Sequence, residues 1–444
     1  MSRKTHTLQG WDENDPYHII TKLSNNKKSI SNTVRNYKFR LYPTAQQEYK
    51  LNNNLNVCKW VYNKFVEQAQ NNFLTRNDMN YILTELKQQE SWLYNYHSKM
   101  LQSISTQLES AEKTLIELSK KGHHTGKLRF ARYGEYRTFT YNQSGYKLEQ
   151  CGKQDYLYLS KIGYIEIRKH REIPQNDTIK QVIITRSKSG KWHACVTCET
   201  GINTPPMIDF SKAVGIDVGI KKFAYDSDGH QTPNPLNLKK MLKPLARIQR
   251  KIARRQKGSQ NRTKAVKFYQ IIHERIMNRR KDFQHKLSTQ YAKNHDVVFV
   301  EKLEKLNLVK NHKLSRSIMD SSWGTFVQKL EYKCKLLVEV PARNTTINCS
   351  RCGNKVPKSL AVRIHRCDKC NLVMDRDYNA SINVLQKGLN IFGLPQELRE
   401  VTPVEISMRS VKQEEAVITA FSKGKPKSFR DWVVHHLPTS KHCF

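Results

Sequence analysis

Four cysteines in the C-terminal half of the chain constrain its fold more than any other feature of the sequence. They form two C-x2-C pairs separated by fourteen residues, namely Cys349, Cys352, Cys367 and Cys370. Two such pairs are typical of a tetrahedral Zn²⁺ site that four thiolates close completely. Because no coordination position is left for a substrate, we predict one structural Zn²⁺ in a ribbon over residues 346–374, and no catalysis at the zinc.

The other six of the ten cysteines are expected to stay reduced, because the chain is large and shows no secretion signal. Cys195 and Cys198 repeat the C-x2-C spacing, but they lie in an alternating, strand-like segment. Residues three apart on a strand point to opposite faces of the sheet, so this pair is a poor chelator. We predict that both are structural.

The charge balance indicates a polyanionic partner. Lysine and arginine total 77 against 39 acidic residues, which leaves a net charge of +38 over 444 residues. Nucleic acid accounts for such an excess directly. An acidic membrane surface would also attract it, but the sequence has no apolar run of about 18 residues, no signal peptide and no basic amphipathic anchor. We therefore expect no membrane association.

Hydrophobic patterning predicts a β-module with a helical insertion in the first half of the chain. Residues 36–47 have the pattern of a strand, a proline break and a helix start, and residues 46–121 repeat apolar side chains at helical spacing. Residues 127–200 alternate as short strands, with a hairpin turn at 189–191. Residues 1–30 are interpreted as an extension outside the core.

A second domain is predicted to begin near Ala213, with a hydrophobic strand and a hairpin at Asp228 and Gly229. The segment 239–286 then carries seventeen lysines or arginines against two acids. A solvated helix face is one interpretation of such a run. We favour a surface that follows a phosphate backbone. Its candidate contact residues are Arg254, Arg255 and Lys257. The tail from residue 397 shows no core pattern.

Three acidic residues each lie at the edge of a hydrophobic strand or at a helix start. Asp217 lies in the strand AVGIDVG, Glu301 ends the apolar run VVFV, and Asp377 precedes the helical ASINVLQKGL. Singly, each has an ordinary alternative, such as a turn residue, a hydrogen-bonded buried acid, or a helix N-cap that Asp375 or Asp377 could fill. Together, three carboxylates on separate elements fit two Mg²⁺ ions and phosphodiester cleavage.

The zinc ribbon also carries basic residues for which contact with nucleic acid is the favoured interpretation, beside a purely structural one. They are Arg351, Lys355, Lys358, Arg363 and Lys369.

Ordered motifs over residues 36–394 resemble the transposon-encoded TnpB family, compact relatives of the type V CRISPR effector nucleases. The motifs are NYKFRLYPTAQQ, CKWVYNKF, KWHACVTCE, VGIDVGIKKFA, RIQRKIARRQKGSQNRTKA, NRRKDFQHKLST, VFVEKLEKLNLV, SSWGTFVQKLEYK, CSRCGN, CDKC and DRDYNASINVL. So many motifs in one order make chance similarity a poor explanation.

The resemblance implies a multidomain α/β plus β-barrel architecture. A RuvC nuclease domain of the RNase H-like fold would carry Asp217 on its first strand, Glu301 on its fourth and Asp377 at a following helix, with the zinc ribbon inserted before the last acid. A wedge β-barrel would be interrupted by a helical recognition domain. The implied boundaries are 31–50 and 125–208 for the wedge, 51–124 for the recognition domain, 209–345 and 375–396 for RuvC, and 397–444 for a tail.

The same resemblance implies an RNA-guided DNA endonuclease. A noncoding RNA from the transposon end would supply the guide, and double-stranded DNA would be cut beside a short target-adjacent motif that the protein reads. Gln102 and Asn142 fall where the family places such contacts. Two Mg²⁺ ions at the acids, one protein per guide RNA, and a prokaryotic cytoplasmic location on the nucleoid are further expectations.

Two other functions remain open from the sequence. A guide-RNA-dependent regulator would bind DNA without cutting it, although intact acids favour cleavage. A transposase would act on transposon ends without RNA, and RNA dependence separates it from the favoured function.

Overall fold

The computed structural model describes residues 34–69, 73–200, 207–303, 309–359 and 362–394. The predicted N-terminal extension and C-terminal tail lie outside these ranges. The described residues divide into two compact units. The first contains residues 34–200 and Met241–Asn278, and the second contains Met207–Lys240 and residues 279–394.

The first unit is an antiparallel sheet with a helical insertion after its first strand. Seven strands form the sheet in the order β2-β6-β7-β1-β5-β4-β3. The helices are α1 (Ala45–Gln68), α2 (Arg76–Gln89) and α3 (Ser98–Lys120). The strands are β1 (Val34–Tyr42), β2 (Thr138–Asn142), β3 (Tyr146–Cys151), β4 (Gln154–Leu159), β5 (Gly163–Arg168), β6 (Thr178–Arg186) and β7 (Trp192–Glu199).

The helical pattern predicted over residues 46–121 is confirmed, although it forms three helices and a short 3₁₀ turn. The predicted helix start is confirmed by a capping box at Thr44, whose hydroxyl accepts from the N–H of Gln47 while the Gln47 side chain accepts from the N–H of Thr44. The predicted hairpin at 189–191 joins β6 to β7. Helices and strands share one apolar core, which includes Phe39 of β1 and Leu51 of α1.

Most of the basic stretch predicted at 239–286 lies in two helices. They are α4 (Leu242–Ala253) and α5 (Gln260–Asn294). Buried side chains on both helices form their apolar sides, among them Leu245, Ile272 and Ile276. α5 is shared between the units, because Asn278 belongs to the first and Arg279 to the second.

The second unit is built on a mixed five-stranded sheet in the order β10-β9-β8-β11-β12. The strand pairs β8–β11 and β11–β12 are parallel, while β8–β9 and β9–β10 are antiparallel. The strands are β8 (Ala213–Val218), β9 (Lys222–Asp226), β10 (Gln231–Pro233), β11 (Val297–Lys302) and β12 (Leu336–Pro341). The hairpin predicted at Asp228 and Gly229 connects β9 to β10.

Further elements complete this unit. The helices are α6 (Ser315–Ser321), α7 (Trp323–Lys333) and α8 (Arg376–Ile391). A two-stranded sheet pairs β13 (Ile364–Arg366) with β14 (Val373–Asp375). No helix in the described ranges is long and apolar enough to cross a membrane.

Two glycines let α8 lie directly on the sheet. A Cβ at Gly215 of β8 would overlap the carbonyl oxygen of Ser381 and lie 2.5 Å from the backbone nitrogen of Leu385, both on α8. A Cβ at Gly388 of α8 would overlap the ring of Phe299 on β11. Because backbone atoms cannot give way as a flexible side chain does, the approach at Gly215 fixes how closely the helix packs.

We expect Gly215→Ala to lower the free energy of unfolding by about 1–3 kcal/mol, because the new methyl group forces α8 away from β8. Thermal denaturation measures the change. Gly126→Ala is the matched control, since a Cβ there meets nothing within 4 Å. An unfolding midpoint for Gly215→Ala that equals that of the control would contradict the close packing.

Candidate active site and metal centre

Two parallel strands place Asp217 and Glu301 side by side. Ile216 of β8 is in register with Val300 of β11, and the two acids are the next residues on their strands. Adjacent strands lie about 4.8 Å apart, so the two backbones are immediate neighbours. Each of the two residues is 8% exposed. A pair of buried acids at one end of neighbouring strands is costly unless donors or cations compensate their charge.

The third acid, Asp377, lies in the first turn of α8. The N-cap is its neighbour Asp375, whose carboxylate accepts from the N–H groups of Asp377 at 2.7 Å and Tyr378 at 3.3 Å. Of the two acids predicted as possible caps, Asp375 therefore has that role. The carboxylate of Asp377 instead accepts hydrogen bonds from Arg376 at 2.9 Å and Arg363 at 3.3 Å.

The three acids share one electrostatic environment. Burial raises the pKa of Asp217 well above its usual range, and the negative charges of Glu301 and Asp377 raise it further. Burial also raises the pKa of Glu301, against the opposing effects of the Thr345 hydroxyl and the Lys387 ammonium. A buried carboxylate whose neighbours are also carboxylates is destabilised when ionised. A divalent cation would relieve this repulsion, so the donor set fits Mg²⁺.

The acids are less tightly gathered than the cysteines. Within the described ranges, Cys349, Cys352, Cys367 and Cys370 are the group of at least three ligand residues whose ligand atoms all lie within 4.8 Å of one another. At the acids, two arginines hold Asp377, and the hydroxyl of Thr345 donates to Glu301.

The cysteine cluster has the form of a zinc ribbon. The sulfur atoms pair across the two knuckles, at 3.5 Å for Cys349–Cys370 and 3.5 Å for Cys352–Cys367. The residue after each second cysteine has a positive φ, +71° at Gly353 and +57° at Asn371, which tightens each turn.

The surroundings of the cysteine cluster shift the pKa values of its thiols in both directions. Burial acts to raise the pKa of Cys367, but hydrogen bonds from the backbone N–H of Cys370, the Cys352 side chain and the N–H of Lys369 lower it to about 6. Burial raises the pKa of Cys349 to about 12. Four thiolates this close together require a cation, and a tetrahedral Zn²⁺ matches four sulfur ligands.

Among the described residues, the second C-x2-C pair, Cys195 and Cys198, is not part of a comparable cluster of ligand residues. Cys198 is buried and Cys195 is half-buried on β7, where they pair with Ile179 and Ile183 of β6. Among the described residues neither belongs to a group that could hold a metal. The structural role predicted for both agrees with this placement.

The predicted motif-reading residues lie in the first unit. Gln102 is half-buried on α3, and Asn142 is exposed at the end of β2. Helix α3 packs against β2, and the ring of its N-cap residue His97 stacks on Tyr141 of β2 at 5.1 Å. Both candidates therefore belong to one neighbourhood of helix and strand.

The predicted phosphate-binding residues lie at the connection of α4 and α5. Arg254 and Arg255 line an open groove of about 490 Å³, whereas Lys257 is exposed outside its lining. Arg255 also donates to the carbonyl oxygen of Asn261, so it stabilises the connection itself. The described residues that line the groove are basic: Arg247, Arg250, Lys251, Arg254 and Arg255.

The basic residues of the ribbon divide into two groups. Arg351, Lys355 and Lys369 are exposed. Lys358 contacts the Nδ1 atom of His365, and Arg363 pairs with Asp377. The last two therefore have partners within the second unit.

Models of known families match three parts of the chain. The model described as "Probable transposase" matches residues 193–312, a Cas12f1-like TNB domain matches 323–384, and a helix-turn-helix domain matches 33–77. A Streptomyces pristinaespiralis protein named as an RNA-guided DNA endonuclease is 32% identical over 406 residues, covering 87% of this chain and 97% of its own. The chain belongs to the TnpB family.

Two further proteins that are similar to this TnpB-family chain have lower sequence identity. InsQ of Escherichia coli, also named as an RNA-guided DNA endonuclease, is 28% identical over 397 residues and covers 83% of this chain and 96% of its own. A solved Cas12f1–sgRNA–target DNA complex aligns with a TM-score of 0.45 and 13% identity, over 80% of this chain and 99% of the other. In this family member the span matched as helix-turn-helix forms strand β1, helix α1 and the start of α2.

Sequence reasoning missed three residues at the acids of this TnpB-family protein. They are Thr345, Arg376 and Lys387, which contact or electrostatically affect Glu301 and Asp377. Arg376 could have been found, because it lies between the two acids of the DRDYN motif. Thr345 and Lys387 are distant from Glu301 in sequence and had no local signal.

Proposed function

We propose that this protein is an RNA-guided endonuclease that cuts double-stranded DNA beside a short target-adjacent motif, using a noncoding guide RNA from the transposon. The main support for the proposal is the placement of Asp217 and Glu301 on two neighbouring parallel strands, with Asp377 at the start of a helix. Burial and the negative charges of Glu301 and Asp377 raise the pKa of Asp217. Catalytic sites are where such shifts concentrate. The three acids would hold two Mg²⁺ ions.

The chain's own residues would prepare the site. Bound Mg²⁺ would supply Lewis-acid activation of water and stabilise the leaving oxygen of the scissile phosphate. The Thr345 hydroxyl orients Glu301, and Asp375 caps α8 so that the Asp377 carboxylate is not needed for capping. Arg363 is exposed while it pairs with Asp377, so its guanidinium can turn to a phosphate oxygen of the DNA.

The sheet of the second unit supports a RuvC domain of the RNase H-like fold. In chain order Asp217 lies on the first strand of this sheet and Glu301 on the fourth, with two parallel pairs and an antiparallel hairpin at one edge. We retain the boundaries 209–345 and 375–396 for this domain and 346–374 for the zinc ribbon.

The first unit supports a wedge barrel with an inserted recognition domain. Two hydrogen bonds connect the edges of its sheet: the Tyr141 hydroxyl of β2 donates to the carbonyl of Ser160 after β4, at 2.9 Å, and the Tyr146 hydroxyl of β3 donates to Ile179 of β6, at 3.1 Å. The proposed boundaries are 31–50 and 125–208 for the barrel and 51–124 for the insertion. Gln102 and Asn142 would read the target-adjacent motif.

The basic groove at α4 is proposed to bind the phosphate backbone of the guide RNA complex. We expect the triple variant Arg250→Ala, Lys251→Ala, Arg254→Ala to weaken RNA binding and to flatten the dependence of log Kd on log salt by about one per lost phosphate contact. Filter binding over a series of salt concentrations measures both.

The matched control for the groove removes two lysines from α3 and the lysine at its C-cap, in the variant Lys113→Ala, Lys120→Ala, Lys121→Ala. Two of these lysines pair with nearby glutamates, and none lines the groove. If the control lowers affinity and salt dependence as much as the groove variant does, binding follows net charge and the assignment of the groove is wrong.

A second candidate function is a transposase that acts without RNA, which the description of the matching family model favours. To separate the two, the protein is expressed with its native flanking DNA, and the RNA that copurifies is sequenced. One discrete RNA from the transposon end is expected, with one protein per RNA by mass photometry. Absence of bound RNA, with retained binding to transposon ends, would favour the transposase instead.

A further inference from the structure

Two buried asparagines of the DRDYNASINVL motif bind the first zinc knuckle to α8. Asn379, 0% exposed, accepts from the N–H of Ser350 at 2.9 Å and donates to the carbonyl of Asn348 at 2.8 Å. Asn383, 6% exposed, donates to the same carbonyl at 2.8 Å and to the carbonyl of Thr345 at 2.7 Å. Four hydrogen bonds from two side chains thus hold one loop.

That loop connects the cysteine cluster to the acids. Asn348 and Ser350 flank Cys349, so both backbone neighbours of this cysteine are fixed by α8. The hydroxyl of Thr345 donates to Glu301. At the other end, Asn379 lies two residues after Asp377, in the first turns of the same helix.

The amides make this connection sensitive to the position of the loop. A buried amide that loses its hydrogen-bond partners destabilises the folded state, because its polar atoms stay shielded from water. If the knuckle moves when its sulfur atoms lose their metal, Asn379 and Asn383 lose partners together, and the loop that holds Thr345 loses its attachment. Rearrangement at the cysteines is therefore transmitted to Glu301 and to the start of α8.

We propose that Asn379 and Asn383 are positioning residues that couple the two metal sites, so that a zinc-loaded ribbon raises the affinity of the acids for Mg²⁺. This inference rests on the proposed function of the acids. Thermodynamic reciprocity requires that Mg²⁺ tightens zinc retention by the same factor, and couplings of this kind are typically fivefold or more.

The test uses the complete protein with its guide RNA and measures zinc affinity by competition with a zinc-selective colorimetric chelator, with and without Mg²⁺. In the unsubstituted complex Mg²⁺ is expected to raise zinc affinity by about fivefold or more. In Asn379→Leu and Asn383→Leu complexes the factor is expected to fall to about one, with zinc still bound. Asp217→Asn is also expected to abolish the effect, which excludes Mg²⁺ acting through the RNA.

The control Leu389→Ala also weakens the packing of α8, because Leu389 is 5% exposed, but it removes none of these hydrogen bonds. It should retain the full Mg²⁺ effect on zinc affinity. Mg²⁺ binding at the acids is followed separately by Mn²⁺ electron paramagnetic resonance. If no Mn²⁺ binding depends on Asp217, the proposed function is contradicted. If Mn²⁺ binding depends on Asp217 but the effect of Mg²⁺ on zinc affinity is unchanged in both Asn variants, the coupling is overturned and the proposed function stands.

If the leucine variants lose zinc altogether, Asn383→Ser provides the second variant, since it shortens the side chain and keeps a polar group. A reduced Mg²⁺ effect in Asn383→Ser supports the coupling, and a full effect overturns it.

Discussion

Asp217→Asn is expected to abolish DNA cleavage while guided DNA binding is retained. The substitution keeps the size of the side chain but removes a charged group, the proposed Mg²⁺ ligand, from the buried strand β8. Because metal coordination contributes several kcal/mol to phosphodiester cleavage, we expect a loss of about a thousandfold or more. The rate of cleavage of a guide-matched plasmid and the affinity for the same DNA are measured on one preparation.

The matched control is Asp282→Asn, because Asp282 is an exposed acid on α5 that pairs with Lys286 at 2.9 Å. It should cleave at the unsubstituted rate. Cleavage by Asp217→Asn within a few-fold of that control would remove Asp217 from the catalytic site. An equal loss of binding and cleavage would mean that the substitution acts through the fold.

The same substitution should stabilise the protein in the absence of divalent metal. Burial and the charges of Glu301 and Asp377 raise the pKa of Asp217, so its ionised form destabilises the folded state. This penalty is absent below the pKa of the unfolded carboxyl, about 3.9, and grows as pH rises above it. Thermal unfolding in EDTA should therefore show a higher midpoint for Asp217→Asn at neutral pH, and added Mg²⁺ should favour the unsubstituted protein.

Cys367→Ser is expected to eliminate bound zinc and to unfold the ribbon. Cys367 is 0% exposed within the group of four sulfur ligands, and its thiol is more acidic than usual. Structural zinc sites contribute about 10–16 kcal/mol in isolated zinc-binding peptides, so most of the local folding energy is lost with the metal. Elemental analysis should change from one zinc per chain to none, and hydrogen exchange should increase over residues 345–394.

The control for the zinc prediction is Cys151→Ser, because Cys151 is an exposed cysteine outside the cluster. It should keep one zinc per chain and normal exchange. Full zinc content in Cys367→Ser would contradict the four-cysteine site, and zinc loss without faster exchange would show that the ribbon folds without its metal.

Much of the second unit could be predicted because its strand, turn and metal-ligand patterns each lie within a short segment of the sequence. The apolar run before Glu301 forms β11, and the turn residues Asp228 and Gly229 form the hairpin of β9 and β10. The two C-x2-C pairs come together because each knuckle is a short turn with its own hydrogen bonds, such as the N–H of Gly353 to the carbonyl of Cys349 at 2.9 Å.

Contacts between distant segments could not be predicted in the same way. The bonds from Asn383 to Thr345 and from Thr345 to Glu301 span 38 and 44 residues. They depend on where α8 packs against the sheet, which in turn depends on Gly215. The choice between Asp375 and Asp377 as the cap was open for a related reason, since either spacing suits an N-cap and only the backbone at the helix start decides.

The most direct test of the proposed function is cleavage of a plasmid library by the purified protein–RNA complex. Each plasmid carries the guide-matched target beside randomised bases, and parallel reactions contain Mg²⁺ or EDTA, with a mismatched guide as control. An RNA-guided, Mg²⁺-dependent endonuclease should deplete particular flanking sequences only when both Mg²⁺ and the matched guide are present. Binding to the matched plasmid without any depletion in Mg²⁺ would contradict the proposed function and leave a guided DNA-binding protein.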